Sequence, residues 1–200
     1  MIAQLKPQLS PQEYLDWEAQ QPIRYGYIDG QVYAMTGGSI PHNLVAVNLI
    51  ALLKPHLRGK HCKVLSSDAK IAVTEEGPFH YPDISVTCDE RDSKAQAYIR
   101  YPCLIVEVLS SSTEAFDRGK KFRHYRQIPT LKEYVLIDPK QMSIECYRLN
   151  QQGRWELFHY IGDSEDRESN SNQIELVSVG LNLSFKQIYE DIDLTGDRSF

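Results

Sequence analysis

The residue that most constrains this chain is Glu107, an acid set inside its most apolar run, residues 101–109. β-branched residues point to both faces of that run, the pattern of a central strand covered on two sides. A carboxylate there is costly to bury without a compensating positive charge, so Glu107 must face a metal ion, a cationic side chain or a wet cleft. Twenty-four residues earlier, Tyr81-Pro82-Asp83-Ile84-Ser85-Val86 sets a second acid at the mouth of another strand. The preceding proline fixes the approach of its backbone.

Signals along the rest of the chain set the surroundings of these two acids. Ser10-Pro11-Gln12-Glu13 supplies an N-cap, an early proline and an acid at the third position, predicting a short opening helix. Residues 24–28 and 31–36 are rich in strand formers and flank Asp29-Gly30, which predicts a β-hairpin. Apolar positions from Leu44 to Leu53 recur at helical spacing behind Ser39 and Pro41, giving a first long helix. Strand-like runs follow at 62–65, 69–73 and 83–87. Beyond the Glu107 strand, Ser112-Thr113-Glu114 opens a helix that ends near Gln127, because Pro129 disfavours helical geometry at Ile128. Strands are expected at 133–138, 143–149 and 154–161, an exposed polar loop at 162–172, and a short closing helix at 184–192. The order predicts one α/β (α+β) domain over residues 1–200, with its core at about 10–192. A central mixed β-sheet is flanked by helices, with the helix and hairpin at the amino terminus.

Two carboxylates on neighbouring strand ends, joined by a backbone carbonyl such as that of Val108, make the hard-oxygen site that Mg²⁺ or Mn²⁺ prefers. Such an ion lowers the pKa of bound water and neutralises charge on a phosphate. Taken singly, an acid like Asp83 is more often a turn or cap residue, and Glu107 could pair with a buried Arg or Lys. A lysine that could position the attacking water sits on the following helix, in Asp117-Arg-Gly-Lys120-Lys121-Phe-Arg-His-Tyr125. At about 100° per residue, Ala115, Gly119, Phe122 and Tyr125 form one inward stripe; Lys121 falls beside it and Lys120 towards solvent. An i,i+4 pair between Asp117 and Lys121 is the alternative, and the two readings are compatible.

Pro82-Asp83, Glu107-Val-Leu-Ser-x-Ser-Thr113, Asp117-Arg-Gly-x-Lys121 and Glu133-Tyr-x-x-Ile-Asp-Pro139, in this order, resemble the Uma-two family of endonuclease-like proteins. That family is grouped with the PD-(D/E)XK nucleases, and the resemblance spans about residues 10–192. It implies a restriction-endonuclease-like core, a magnesium-type cofactor, DNA as substrate and frequent homodimerisation. It also assigns Asp83, Glu107 and Lys121 to the catalytic centre. Leu109 stands where the superfamily usually has its lysine, and Lys121 matches a lysine moved to the next helix. One departure is Gly26, in Tyr25-Gly26-Tyr27-Ile28-Asp29-Gly30, where many members carry an accessory acid. His42 matches a recurrent histidine of the family and reads either as a substrate contact or as a helix-start residue. Lys70 reads either as a cleft lysine or as an ordinary outward-facing strand residue.

Composition narrows the function classes. A net charge of −5 disfavours tight non-specific nucleic-acid binding, so any DNA face must be local. The longest apolar run, Leu49-Ile-Ala-Leu-Leu53, is far too short to span a membrane, and the chain reads as a cytoplasmic protein. Cys62, Cys88, Cys103 and Cys146 fit no metal-binding spacing and read as reduced thiols. Two functions stand side by side: a metal-dependent endonuclease, and an inactive nuclease-fold module that binds nucleic acid or a protein partner. The aromatic-rich stretch at 143–161 would suit packing against a second copy.

Overall fold

The computed structural model describes residues 8–35, 37–162 and 173–194. The chain enters through α1 (Pro11–Glu18), closed by a capping box in which Ser10 and Glu13 each satisfy the other's backbone N–H. The hairpin β1 (Tyr25–Ile28) and β2 (Gln31–Ala34) turns at Asp29 and Gly30, with φ of 50° and 83°. Positive φ at both central residues is what a two-residue primed turn demands. Next comes α2 (Ile40–His56), whose N-cap Ser39 accepts from the backbone N–H of His42. Its Val45, Leu49 and Leu53 line one buried face.

The strands β3 (Lys63–Ser66), β4 (Ile71–Ala72), β5 (Phe79–His80), β6 (Ile84–Thr87) and β7 (Pro102–Val108) follow. After β7 one helical segment runs through α3 (Glu114–Phe116), a π-helical turn (Asp117–Lys121) and α4 (Phe122–Tyr125). Then come β8 (Glu133–Asp138), β9 (Ser143–Leu149), β10 (Trp155–Ile161), β11 (Gln173–Leu176), β12 (Leu181–Ser184) and α5 (Phe185–Ile188). No helix among the described residues is long and apolar enough to cross a membrane. All but residue 162 of the expected 162–172 loop lies outside the described residues.

The centre is a six-stranded mixed sheet ordered β10-β9-β8-β7-β6-β3, in which β7 and β8 are parallel and the other pairs antiparallel. A smaller sheet, β2-β1-β5-β4, packs Tyr25, Tyr27, Val32, Ala72 and Phe79 against Tyr14 of α1. On the central strands, side chains alternate between two cores. Ile84, Val86, Leu104, Val106 and Val108 face α2 and α5, while Ile105 and Leu109 face Tyr125, Ile128 and Leu131. Glu107 therefore points to the second face, beneath the helical segment that follows its own strand.

Two expectations are corrected. Cys62 and Cys88 are joined in a disulfide, and only Cys103 and Cys146 remain free thiols. The β3–β6 register pairs Lys63 with Thr87, and one further step sets Cys62 opposite Cys88, a relation that linear spacing does not reveal. The inward stripe of the Lys121 helix is also different. Ala115 is exposed, whereas Asp117, Lys121 and Tyr125 are buried. The wider π turn makes residues four apart share a direction, so counting at 3.6 residues per turn misplaces the stripe.

Candidate active site

Asp83 and Glu107 meet because of strand register. Ile84 lies opposite Val106, and one step outward from that pair brings Asp83 beside Glu107. The β7 backbone fixes the first acid directly, for the Val108 N–H donates to Asp83 Oδ2 at 2.7 Å. His42 Nε2, at the start of α2, lies 3.3 Å from the same oxygen. That contact holds the imidazole above its usual pKa, and a hydrogen bond to the Val108 backbone acts in the same direction.

Glu107 is 3 % exposed. Its Oε1 takes the Lys121 ammonium at 2.7 Å and the Tyr125 hydroxyl at 3.1 Å. Lys121 Nζ also lies 3.2 Å from Asp117 Oδ1, but that approach lacks hydrogen-bond alignment, so a buried carboxylate oxygen has no hydrogen bond. The Tyr134 hydroxyl donates to the Asp117 carbonyl and ties the π turn to β8. Three carboxylates thus surround one ammonium. Burial pushes the Glu107 carboxyl up to about 8, Lys121 opposes the rise, and Asp117 and Asp83 add to it. Burial opposes charge on Lys121, yet the adjacent Glu107, Asp117 and Asp83 hold it above its ordinary value.

The structure gathers Asp83, Glu107, Val108, Lys121 and His42 at one end of β6 and β7. Lys70 is held elsewhere: its ammonium is buried, 3.0 Å from Glu18 Oε2 and over the Tyr14 ring. Tyr81 donates to the other oxygen of Glu18, so this second polar cluster clamps α1 to the segment leading into Asp83. Lys120 stays at the surface, 3.6 Å from Asp29. Gly26 lies buried in β1, and a Cβ there would meet the Phe79 carbonyl at 3.4 Å, an ordinary contact. Two members of the site escaped sequence reading in this role. Asp117 counted only as a surface ion-pair partner, and Tyr125 only as core. The four-residue repeat Asp117, Lys121, Tyr125 was the available signal.

The profile of the Uma2 family, described as "Putative restriction endonuclease", matches residues 11–185. The chain belongs to the Uma2 family. It is 44 % identical over 186 residues to "Uncharacterized protein slr1290" of Synechocystis sp. (strain ATCC 27184 / PCC 6803 / Kazusa), covering 93 % of this chain and 94 % of that one. A second protein of that organism, "Uncharacterized protein sll1609", is 33 % identical over 162 residues, covering 80 % and 92 % of the two chains. Among solved structures, a "putative nuclease belonging to DUF820" from Anabaena variabilis ATCC 29413 superposes with a TM-score of 0.70 at 16 % identity. The match covers 90 % of this chain and 97 % of that one. The Uma2 chain thus has the restriction-endonuclease-like α+β fold that its motifs implied, built on a central mixed sheet.

Proposed function

We propose that this protein is a divalent-metal-dependent endonuclease that hydrolyses DNA phosphodiester bonds. The observation that carries the reading is the Lys121–Glu107 contact placed beside Asp83 on adjoining strands. The donor set suits a hard cation. Three acidic side chains face one lysine, and the buried Asp117 Oδ1 has no hydrogen bond. Among the described residues no three His, Cys, Asp or Glu side chains converge as a ready-made cage. Two carboxylates, a backbone carbonyl and retained water are what magnesium-type ions commonly accept.

Asp83, Glu107 and the Val108 carbonyl would hold the ion. Once bound, it would lower the pKa of a coordinated water and offset charge on the phosphate. Lys121 orients the water or stabilises the charge that develops on the phosphoryl oxygens, and its own position is fixed by Glu107 and Asp117. Tyr125 holds Glu107 from the apolar side of the site. Residues 10–192 act as one catalytic unit. A homodimer would use the edge strand β10, where Leu157, Phe158 and Ile161 are exposed.

Calorimetric titration of Mg²⁺ and Mn²⁺ into wild type and Asp83→Asn, beside a plasmid-nicking assay, tests the reading. Metal-dependent nicking lost in the variant is expected. DNA binding without cleavage in any metal would instead favour an inactive module, the reading to which Gly26 gives weight.

A further inference from the structure

The helical segment after β7 turns Lys121 inward and leaves a cationic outward face. Residues 118–126 carry Arg118, Lys120, Lys121, Arg123 and Arg126 with no acid among them, in a chain whose net charge is −5. Three of these cations are committed within the protein. Lys121 is held by Glu107 and Asp117, Arg118 by Glu114 and Glu145, and Arg126 lies over the Phe122 ring at 5.3 Å. The other two remain available. Arg123 is exposed and forms no ion pair among the described residues, and Lys120 touches the exposed Asp29 in a surface contact of small worth.

His124 extends the same face. Burial and the nearby Lys120 and Arg123 lower its pKa, against the pull of Asp29, so it stands as a neutral imidazole at neutral pH. Behind it, buried His80 sets Nε2 2.9 Å from His124 Nδ1, with the two rings stacked at 5.1 Å. Neutral imidazoles in such a contact share one proton. When His80 supplies it, His124 carries its own proton on Nε2, the form that an anionic acceptor selects. This face adjoins the site. Lys120 precedes Lys121, and His80 stands three residues before Asp83 with its ring against Tyr125, the partner of Glu107. Residues one helical turn apart lie about 5–6 Å from each other at Cβ, so Lys120 and the Arg123–His124 pair can reach neighbouring phosphates of one strand. We propose that Lys120, Arg123 and His124 form a ridge that grips the phosphate backbone of the DNA led to Asp83 and Glu107, with His80 a positioning residue behind His124. This inference rests on the endonuclease reading above and adds its DNA-contacting surface. Phosphate contacts set register and orientation without reading bases, so the ridge places the strand and confers no sequence preference.

The test is fluorescence anisotropy of a short fluorescein-labelled duplex with the full-length protein in EDTA, across about 50 to 200 mM salt, beside the plasmid-nicking assay of the wild type. Lys120→Ala and Arg123→Ala should each make the slope of log affinity against log salt shallower by about 0.9 and weaken binding about 5- to 10-fold at 0.1 M salt. His124→Ala should weaken binding about 2- to 10-fold and leave the slope unchanged, because a neutral donor releases no counterion. Lys186→Ala, which removes an exposed cation on α5, is expected to match wild type. With duplex bound, ¹⁵N NMR should find the His124 proton on Nε2; a proton on Nδ1 instead overturns the role of His80. Wild-type nicking with slopes unaltered in both basic variants, or altered equally in Lys186→Ala, overturns the ridge and leaves the endonuclease reading intact. Neither duplex binding nor nicking by the wild type overturns both.

Discussion

Lys121 and Glu107 sit on different elements, yet their charged atoms lie 2.7 Å apart in a region almost closed to water. Neither could be buried alone at tolerable cost. Their contact joins the helical segment to the strand beneath it and also defines the candidate catalytic centre.

Removing the ammonium should therefore be felt first in stability. Lys121→Met leaves Glu107 and Asp117 without their cation, and losing one partner of a buried pair costs about 3–5 kcal/mol. Urea unfolding above the Glu107 titration, where both acids are ionised, measures it. Lys120→Ala, which loses only a half-exposed contact with Asp29, should change stability by no more than about 0.5 kcal/mol. Similar losses in the two variants would show that the Lys121 contacts are not the buried anchor described.

Stability without metal should depend on pH through Glu107. Burial pushes its folded carboxyl up to about 8 from an ordinary 4.5, so the unfolded chain ionises first as pH rises. The contribution is least costly below about pH 4.5, is lost progressively up to about pH 8, and levels off above that. Denaturation midpoints measured across this window should fall with pH in wild type. They should fall less steeply in Glu107→Gln.

A second buried acid supplies a contrast unrelated to the site. Glu133 is 1 % exposed and accepts from Arg148 Nε at 2.8 Å, Ser178 N–H at 2.8 Å and Ser178 Oγ at 2.6 Å. Glu133→Ala strands the Arg148 charge and should cost about 3–5 kcal/mol. The Mn²⁺ affinity of the folded fraction should match wild type. Calorimetry and unfolding on one preparation separate the two effects, and a parallel loss of affinity would contradict the expectation.

The Cys62–Cys88 bond closes a 26-residue span and ties the edge strand β3 to β6. Constraint of the unfolded chain by a loop of this size is worth about 3 kcal/mol. Dithiothreitol should lower the unfolding midpoint of wild type accordingly and leave that of Cys88→Ser unchanged.

What the sequence disclosed, and what it concealed, follows from the range of each signal. Glu107 was legible because its neighbours are so apolar, and the Asp29-Gly30 turn because two positive φ angles demand such residues. Lys121 rather than Lys120 was expected beside the acids, and it does contact Glu107, although the helical wheel behind the choice was out of phase. The π turn responsible depends on how Asp117 and Tyr134 engage the sheet, which no local pattern records. Strands β5, β11 and β12 are two to four residues long, too short for alternation to stand out. The buried pairing of Lys70 with Glu18 spans 52 residues and is created by packing alone.

The π turn also acts as a phase shifter. Ahead of it the segment keeps the rotational setting it inherits from the Glu107 strand; beyond it the chain is re-clocked, and the two settings answer to different neighbours. Asp117 and Lys121 are aimed at the carboxylates, while the next residue, Phe122, stacks on Tyr134 at 5.3 Å and packs edge-on against Trp155. Deleting one residue between 117 and 121 would restore an ordinary helix and turn everything after the deletion by about 100°. The polar aim and the aromatic aim could not then both be kept, so in this short stretch the number of residues matters as much as their identity.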